Sequence, residues 1–132
     1  MPAYDYTGIR RLAAEARTRI QELTPEEARR EIARGAVLID VRDDIELLQN
    51  PPLASAIHLS RGQLEYTISE VLSDKDTALV LYCAGGNRGA LATESLKKLG
   101  YTQVFNLKGG LRGWRLEAGQ PWLYTDTGVL KA

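Results

Sequence analysis

Three short apolar runs, separated by segments long enough for helices, constrain the fold of this chain more than any other feature. The runs lie at residues 37–41, 78–82 and 104–107. Continuous β-branched and aliphatic runs suit strands that are buried on both faces of a parallel sheet. Between them, residues 60–72 and 88–99 carry apolar side chains at helical spacing and are long enough for crossover connections. The alternation predicts an α/β fold with an open, mainly parallel sheet.

Two more helices are predicted ahead of the first run. Residues 7–21 place apolar side chains at helical spacing with arginines between them, which predicts an amphipathic helix that packs on the main fold. Thr24, Pro25 and Glu27 have the spacing of a capping box, so a second helix should start there and end near Gly35. We therefore divide the chain into a helical extension, residues 1–21, and a main domain, residues 22–132.

Charge and hydropathy narrow the classes of partner. Seventeen basic residues balance seventeen acidic ones among 132 residues, so no overall field favours nucleic acid or an anionic membrane. No apolar run approaches the roughly 20 residues of a membrane helix, and the first residues lack a signal-peptide core. We expect a cytoplasmic protein that binds neither nucleic acid nor membrane.

The chain has one cysteine, Cys83, and one histidine, His58. A single cysteine cannot form an intramolecular disulfide, and a single histidine leaves no second imidazole for a zinc site. We therefore expect no metal and no cofactor, and any reactivity should be concentrated on Cys83.

A glycine-rich segment links the second apolar run to the helix after it. Its residues are Cys83, Ala84, Gly85, Gly86, Asn87, Arg88 and Gly89. Paired glycines let the backbone curl so that successive N–H groups point inward as an anion nest, and the helix adds its positive end. Such a nest would stabilise a thiolate at Cys83, and Arg88 could reinforce the field or grip an anionic donor. The alternative is a buried structural cysteine beside an ordinary turn.

The spacing of Cys83, Gly86 and Arg88, a CxxGxR pattern, resembles the active-site loop of the rhodanese family. Residues 38–42 followed by Glu46 resemble its first signature, residues 56–65 its connector, and residues 107–114 with 119–122 its closing signature. Four landmarks in sequence order are more specific than one short motif. The resemblance covers about residues 22–123 and implies a five-stranded sheet with helices on both faces, plus the extra N-terminal helix.

The resemblance also implies a sulfurtransferase that carries sulfur as a persulfide on Cys83, with Arg88 as a second catalytic residue. The donor would be thiosulfate or another persulfide, and the acceptor cyanide, a thiol or a sulfur-relay protein. The remaining loop residues would bind the substrate, and these are Ala84, Gly85, Gly86, Asn87 and Gly89. Three residues would brace the site from behind: Asp40 through backbone hydrogen bonds, Arg42 through an ion pair, and Glu46.

Two departures from the family pattern stand out. Gly89 occupies a position where the family often has serine or alanine, so no hydroxyl is offered to the thiolate. Residues 51–55 replace the usual start of the connector, so this loop should have another shape.

Two other functions compete with sulfur transfer. A cysteine-loop phosphatase would use a similar nest, but those enzymes resemble a Cx5R pattern, and only four residues separate Cys83 from Arg88. A non-catalytic rhodanese module used for docking or sensing stays open, although such modules commonly lack the cysteine.

Overall fold

Helices and strands alternate along residues 7–122, the part of the chain that this computed structural model describes. The helices are α1 (Thr7–Arg17), α2 (Pro25–Ala33), α3 (Asp44–Gln49), α4 (Leu64–Val71), α5 (Asn87–Lys98) and α6 (Gly110–Glu117). The strands are β1 (Gln21–Leu23), β2 (Val37–Asp40), β3 (Ile57–His58), β4 (Leu79–Tyr82) and β5 (Val104–Leu107). Residues 1–6 of the predicted extension and residues 123–132 of the predicted main domain lie outside the described part.

The five strands form one parallel sheet in the order β1-β5-β4-β2-β3. Strand β4 lies at its centre, where Leu79 is opposite Val37 of β2 on one side and Val104 of β5 on the other. All four residues of β4 are fully buried, as expected for a strand covered on both faces. The predicted open parallel α/β sheet is confirmed.

Two hydrophobic clusters cover the two faces of the sheet. Because side chains alternate along a strand, Leu79 and Leu81 of β4 point to one cluster while Val80 and Tyr82 point to the other. The first cluster includes residues of α4 and α5, namely Leu64, Ile68, Ala92 and Leu96. The second includes residues of α2 and α6, namely Ala28 and Leu111. Helices therefore lie on both faces, as predicted.

The N-terminal helix is shorter than predicted. α1 ends at Arg17, and a tighter turn follows in which the Thr18 amide donates to Glu15 O at 3.1 Å and the Arg19 amide to Ala16 O at 2.9 Å. Gln21, predicted as the last residue of this helix, begins β1 and lies opposite Phe105 of β5. Strand β1 has three residues at the edge of the sheet, too few to produce a recognisable pattern in the sequence.

Other helix boundaries differ from the predicted ones by smaller amounts. The capping box at Thr24 and Glu27 is confirmed, and α2 begins at Pro25. The helix predicted over residues 60–72 begins only at Leu64, and the one predicted over residues 88–99 begins at Asn87. The short helix α3 was not predicted, although the amide N–H of Asp43 donates to Glu46 Oε2 at 2.8 Å in a capping pattern that the sequence displays.

Helix α1 packs against α5 through alanines. Ala13 and Ala16 are fully buried against Ala90, and such small side chains let two helices approach closely. Arg19, just after α1, forms an ion pair with Glu94 of α5. The boundary between extension and main domain at residues 21 and 22 stays a prediction. Within residues 7–122, no helix combines the length and the apolar character needed to cross a bilayer.

Candidate functional site

The carboxyl ends of the three central strands bring polar side chains together at one edge of the sheet. Asp40 ends β2, Cys83 follows β4 directly, and Asn106 lies one residue before the end of β5. All three are almost completely buried. In open α/β sheets, ligands bind at this edge.

The sulfur of Cys83 points into the loop that follows it. The backbone N–H groups of Gly86 and Gly89 both point at Sγ, with N–S distances of 3.1 and 3.2 Å. Gly86 adopts a φ of 113°, a left-handed conformation that favours glycine. Two N–H dipoles and the first turn of the 12-residue helix α5 therefore converge on the sulfur and favour negative charge there. Cys83 is nevertheless only 1% exposed, so its sulfur is shielded from solvent.

The loop carbonyls point the other way, toward α6. The amides of Leu111 and Arg112 donate to Cys83 O at 2.8 Å and to Ala84 O at 2.9 Å. Because C=O and N–H of a trans peptide point in opposite directions, the amides of Ala84 and Gly85 are directed away from α6. Gly110 makes this approach feasible, since a Cβ there would lie 2.6 Å from Ala84 O.

Arg88, in the first turn of α5, forms a two-pronged ion pair with Glu46 of α3. Its Nη1 donates to Glu46 Oε2 at 2.6 Å and its Nη2 to Oε1 at 2.8 Å. These hydrogen bonds raise the pKa of Arg88, burial opposes that effect, and the nearby Cys83 contributes to the rise. Burial works against the ionisation of Glu46, but hydrogen bonds from Arg88 and the Asp43 amide outweigh it and lower the pKa of Glu46. Both groups are therefore charged at neutral pH.

A second ion pair, between Asp40 and Arg42, lies behind the site and is almost fully excluded from solvent. Arg42 Nη2 donates to Asp40 Oδ2 at 2.8 Å, and the Arg42 amide donates to Asp40 Oδ1 at 3.0 Å. Arg42 Nη1 donates to Asn50 O at 2.9 Å and to Glu46 O at 3.4 Å. Arg42 thus connects the end of β2 to both the body and the end of α3, which carries the partner of Arg88.

The start of the connector, residues 51–55, is held by long-range contacts. The Leu53 amide donates to the Tyr82 hydroxyl at 3.0 Å, and Arg115 Nη2 donates to Pro51 O at 2.6 Å. Burial, followed by the nearby Asp40 carboxylate, raises the pKa of Tyr82, so the phenol stays neutral. The connector is therefore fixed to β4 and α6.

Asn106 and Arg17 also contact the loop and were not predicted from the sequence. The Asn106 Nδ2 group donates to Gly86 O at 3.1 Å and to Glu22 Oε2 at 2.8 Å, which ties the loop to β5 and β1. An asparagine inside an apolar strand run is a signal that could have identified it. Arg17 Nη2 donates to Asn87 Oδ1 at 3.2 Å, and nothing local marks that contact.

The structure brings the predicted site residues together in one region. Cys83, Arg88 and the loop residues between them share one turn, and Glu46 contacts that turn directly. Asp40 and Arg42 reach it through α3. A model of the rhodanese-like domain matches residues 24–117. This chain belongs to the rhodanese-like domain family.

Relatives of this rhodanese-like domain include named sulfurtransferases. Thiosulfate sulfurtransferase GlpE of Haemophilus influenzae is 31% identical over 94 residues, which cover 71% of this chain and 87% of the relative. The uncharacterized protein YqhL of Bacillus subtilis is 35% identical over 96 residues, which cover 73% of this chain and 74% of the relative.

Two solved structures share nearly the whole length of this rhodanese-like domain. RPA3614 of Rhodopseudomonas palustris, a protein of unknown function described as a possible tyrosine phosphatase, superposes with a TM-score of 0.76 at 31% identity. It covers 92% of this chain and 98% of its own. The homodimeric polysulfide-sulfur transferase of Wolinella succinogenes superposes with a TM-score of 0.71 at 29% identity, covering 93% of this chain and 96% of its own.

Steric crowding explains why position 89 of this rhodanese-like domain is a glycine. A Cβ on Gly89 would lie 2.2 Å from Asn106 Oδ1, well inside van der Waals contact. Oδ1 is buried and accepts no hydrogen bond from any residue of the described range. Glycine carries only a hydrogen on that side, which leaves room for the oxygen.

Replacing Arg42 by methionine should lower the free energy of unfolding by about 3–5 kcal/mol, because the Asp40 carboxylate is left buried without its partner. Urea denaturation at neutral pH measures the loss. The matched control is Arg34→Met, which removes a 3.1 Å pair with Glu31 in which the arginine is 71% exposed. That change should cost no more than about 0.5 kcal/mol. Equal effects of the two substitutions would contradict the importance of the buried pair.

Gly89→Ala should lower the free energy of unfolding by about 1–3 kcal/mol, since the new methyl group overlaps Asn106 Oδ1. Gly62→Ala is the control, because nothing lies within 4 Å of a Cβ at that position. In an Asn106→Ala background the same Gly89→Ala change should cost less, a coupling that a double-mutant cycle measures. Additive effects would show that the two sites do not compete for one space.

Proposed function

We propose that this rhodanese-like domain is a sulfurtransferase that carries sulfane sulfur as a persulfide on Cys83. The observation that carries the proposal is the convergence of the Gly86 and Gly89 amides on Sγ. A cysteine that served only as core packing would not need two backbone donors at its sulfur. The chemistry that benefits from this arrangement is one in which that sulfur, or a sulfur attached to it, is anionic.

The proposed cycle has two displacement steps and needs no external oxidant or reductant. The ionised sulfur of Cys83 attacks the sulfane sulfur of the donor; a new S–S bond forms, the donor's own bond to that sulfur breaks, and the electron pair leaves with the donor remnant, sulfite in the case of thiosulfate. The acceptor, cyanide or an ionised thiol, then attacks the terminal sulfur. The persulfide bond breaks and its electron pair returns to Sγ.

The backbone amides of the loop can stabilise the negative charge of the persulfide. Its terminal sulfur carries the charge, and the first turn of α5 leaves the amides of Asn87 and Arg88 without partners inside the helix, so they can donate to it. Because Cys83 is almost fully buried, a donor would insert only its terminal sulfur, past the exposed Gly85. Bulky electrophiles and bulk water would be kept out.

Two guanidinium groups, those of Arg88 and Arg112, suit an anionic donor. Arg88 donates two of its five N–H groups to Glu46, and the remaining N–H groups can bind a sulfonate or a polysulfide chain. Arg112 Nη2 lies 3.4 Å from the place that a Cβ on Gly85 would occupy. We therefore propose thiosulfate, named in the GlpE relatives, or a polysulfide, named in the Wolinella structure, as the donor class.

The acceptor has to come from outside this chain. Cys83 is the only cysteine, so no second thiol of the same molecule can resolve the persulfide as a disulfide. Cyanide, a low-molecular-weight thiol or the thiol of a sulfur-relay protein would complete the cycle.

Exposure to thiosulfate should add the mass of one sulfur atom to the intact protein, and cyanide should remove it. Native intact-mass spectrometry measures both steps. Cys83→Ser is the matched control and should gain nothing, since a serine hydroxyl cannot hold the sulfur. If the wild-type protein gains no sulfur from thiosulfate or polysulfide while a known sulfurtransferase does, the persulfide proposal fails and a non-catalytic docking module replaces it.

The likeness to RPA3614 makes phosphatase activity the second candidate, and the loop geometry opposes it. Four residues separate Cys83 from Arg88, and the Gly86 and Gly89 amides point at the sulfur itself. A phosphate would need those donors on its own oxygens, beyond the sulfur.

An aryl phosphate and thiosulfate, offered separately to the same preparation, should therefore give turnover with thiosulfate and cyanide but no phosphate release above the Cys83→Ser background. Absorbance of the released phenol and of thiocyanate measures the two reactions. Phosphate release that depends on Cys83, with no thiocyanate formed, would reverse the assignment.

A further inference from the structure

The last residue of α1 contacts the loop from outside the region that the family model matches. Arg17 Nη2 donates to Asn87 Oδ1 at 3.2 Å, and the same nitrogen lies 3.2 Å from the position that a Cβ on Gly86 would take. Family resemblance begins only at residue 24. A guanidinium supplied by the N-terminal extension therefore lies directly against the backbone of the loop.

A second arm of the same network reaches the loop through the sheet. Arg17 Nε donates to Glu22 Oε2 at 3.1 Å, and this carboxylate oxygen also accepts from Asn106 Nδ2 at 2.8 Å. The same Nδ2 group donates to Gly86 O at 3.1 Å. A side-chain amide nitrogen has two hydrogens, so Glu22 and Gly86 use both of them.

Both arms end on or beside the residues that supply N–H groups to the Cys83 sulfur. The first arm holds Asn87 and lies on Gly86; the second holds Gly86 O, and its Asn106 Oδ1 touches the open face of Gly89. Gly86 O belongs to the Gly86–Asn87 peptide unit, which lies between the two N–H groups along the chain, so holding this unit restricts movement of the segment that carries both of them. The network therefore opposes the motion that would turn either N–H away from the sulfur.

We infer that Arg17 is a positioning residue of the active-site loop, which acts with Glu22 and Asn106 to keep the Gly86 and Gly89 amides directed at Cys83. The inference rests on the proposed function and deepens it, because it gives the N-terminal helix a part in sulfur transfer. Arg17 touches no reacting atom; it acts through the loop.

Arginine suits this task because its planar fork can donate to two acceptors in fixed directions. Nε is used by Glu22 and Nη2 by Asn87, on opposite arms of the network. The buried alanines Ala13 and Ala16 hold the helix that carries Arg17 against α5. The position of the Arg17 guanidinium therefore depends on the packing of α1 as well as on the ion pair with Glu22.

Arg19 provides a matched comparison two residues away. It also links the extension to α5, through its ion pair with Glu94 and through Lys97 Nζ, which donates to Arg19 O at 2.6 Å. Neither Glu94 nor Lys97 belongs to the loop. A residue that only docks the extension should therefore behave like Arg19, whereas a positioning residue should not.

The experiment compares full-length Arg17→Met and Arg19→Met, which keep an unbranched apolar stem and lose every donor. Hydrogen exchange of the Gly86 and Gly89 amides, followed by NMR, reports the positioning without any need for activity. In Arg17→Met both amides should exchange about fivefold faster than in wild type, the ratio expected for loss of one hydrogen bond, while Arg19→Met stays at the wild-type rate. The single-turnover rate of sulfur uptake from thiosulfate should fall severalfold in Arg17→Met only.

Equal exchange rates in the two variants would overturn the inference, and so would faster exchange accompanied by wild-type sulfur uptake. A drop in melting temperature in Arg17→Met with faster exchange across the whole sheet would also overturn it, because the effect would then be global. If wild type takes up no sulfur, the proposed function fails, and the exchange comparison alone decides whether Arg17 positions the loop.

Discussion

Polar atoms buried at the carboxyl edge of the sheet need hydrogen-bond partners, and the rest of the site depends on how they are satisfied. A buried polar group without a partner costs several times more than an ordinary hydrogen bond contributes. Asp40 meets this need through Arg42, Cys83 through the loop amides, and the Asn106 Nδ2 group through Gly86 and Glu22. Each of these partners lies on or leads to another element of the fold. The hydrogen bonds at three strand ends therefore bring several elements together around the Cys83 sulfur.

The loop is consequently held from three directions. On one side the buried Asp40–Arg42 pair fixes α3, whose Glu46 grips Arg88 at the start of α5. From below, the first turn of α6 binds the outward-facing carbonyls. On the remaining side β5, β1 and α1 reach the Gly86–Asn87 peptide. Donors that are fixed before a substrate arrives need no reorganisation during a reaction, so this arrangement is consistent with the proposed chemistry at a buried sulfur.

The sequence was sufficient for the parts that rest on local pattern. Buried strands β2, β4 and β5 produce unbroken apolar runs, and the tight turn after β4 requires glycine, so the sheet, the loop and its cysteine could all be predicted. Edge strands β1 and β3 are three and two residues long and leave no periodicity. The partners of the loop lie far away in sequence: Arg17 and Asn87 are 70 residues apart, and Glu22 and Asn106 are 84 apart. No local signal encodes such pairs, because only the packed fold makes them neighbours.

The unusual glycine after the loop arginine connects these observations. An alanine or serine at position 89 would occupy the space of Asn106 Oδ1, so the amide could not lie beneath the loop. With that amide excluded, nothing would join Gly86 O to Glu22, and the contact of Arg17 with Glu22 would no longer be linked to the loop through Asn106. Because Gly89 has no side chain, Asn106 fits beneath the loop and donates to Glu22, which also accepts from Arg17 of the N-terminal helix. Two of the residues that support this loop, Arg17 and Glu22, lie outside the residues that the family model matches. The contact through Glu22 depends on Asn106, which uses the space that Gly89 leaves open.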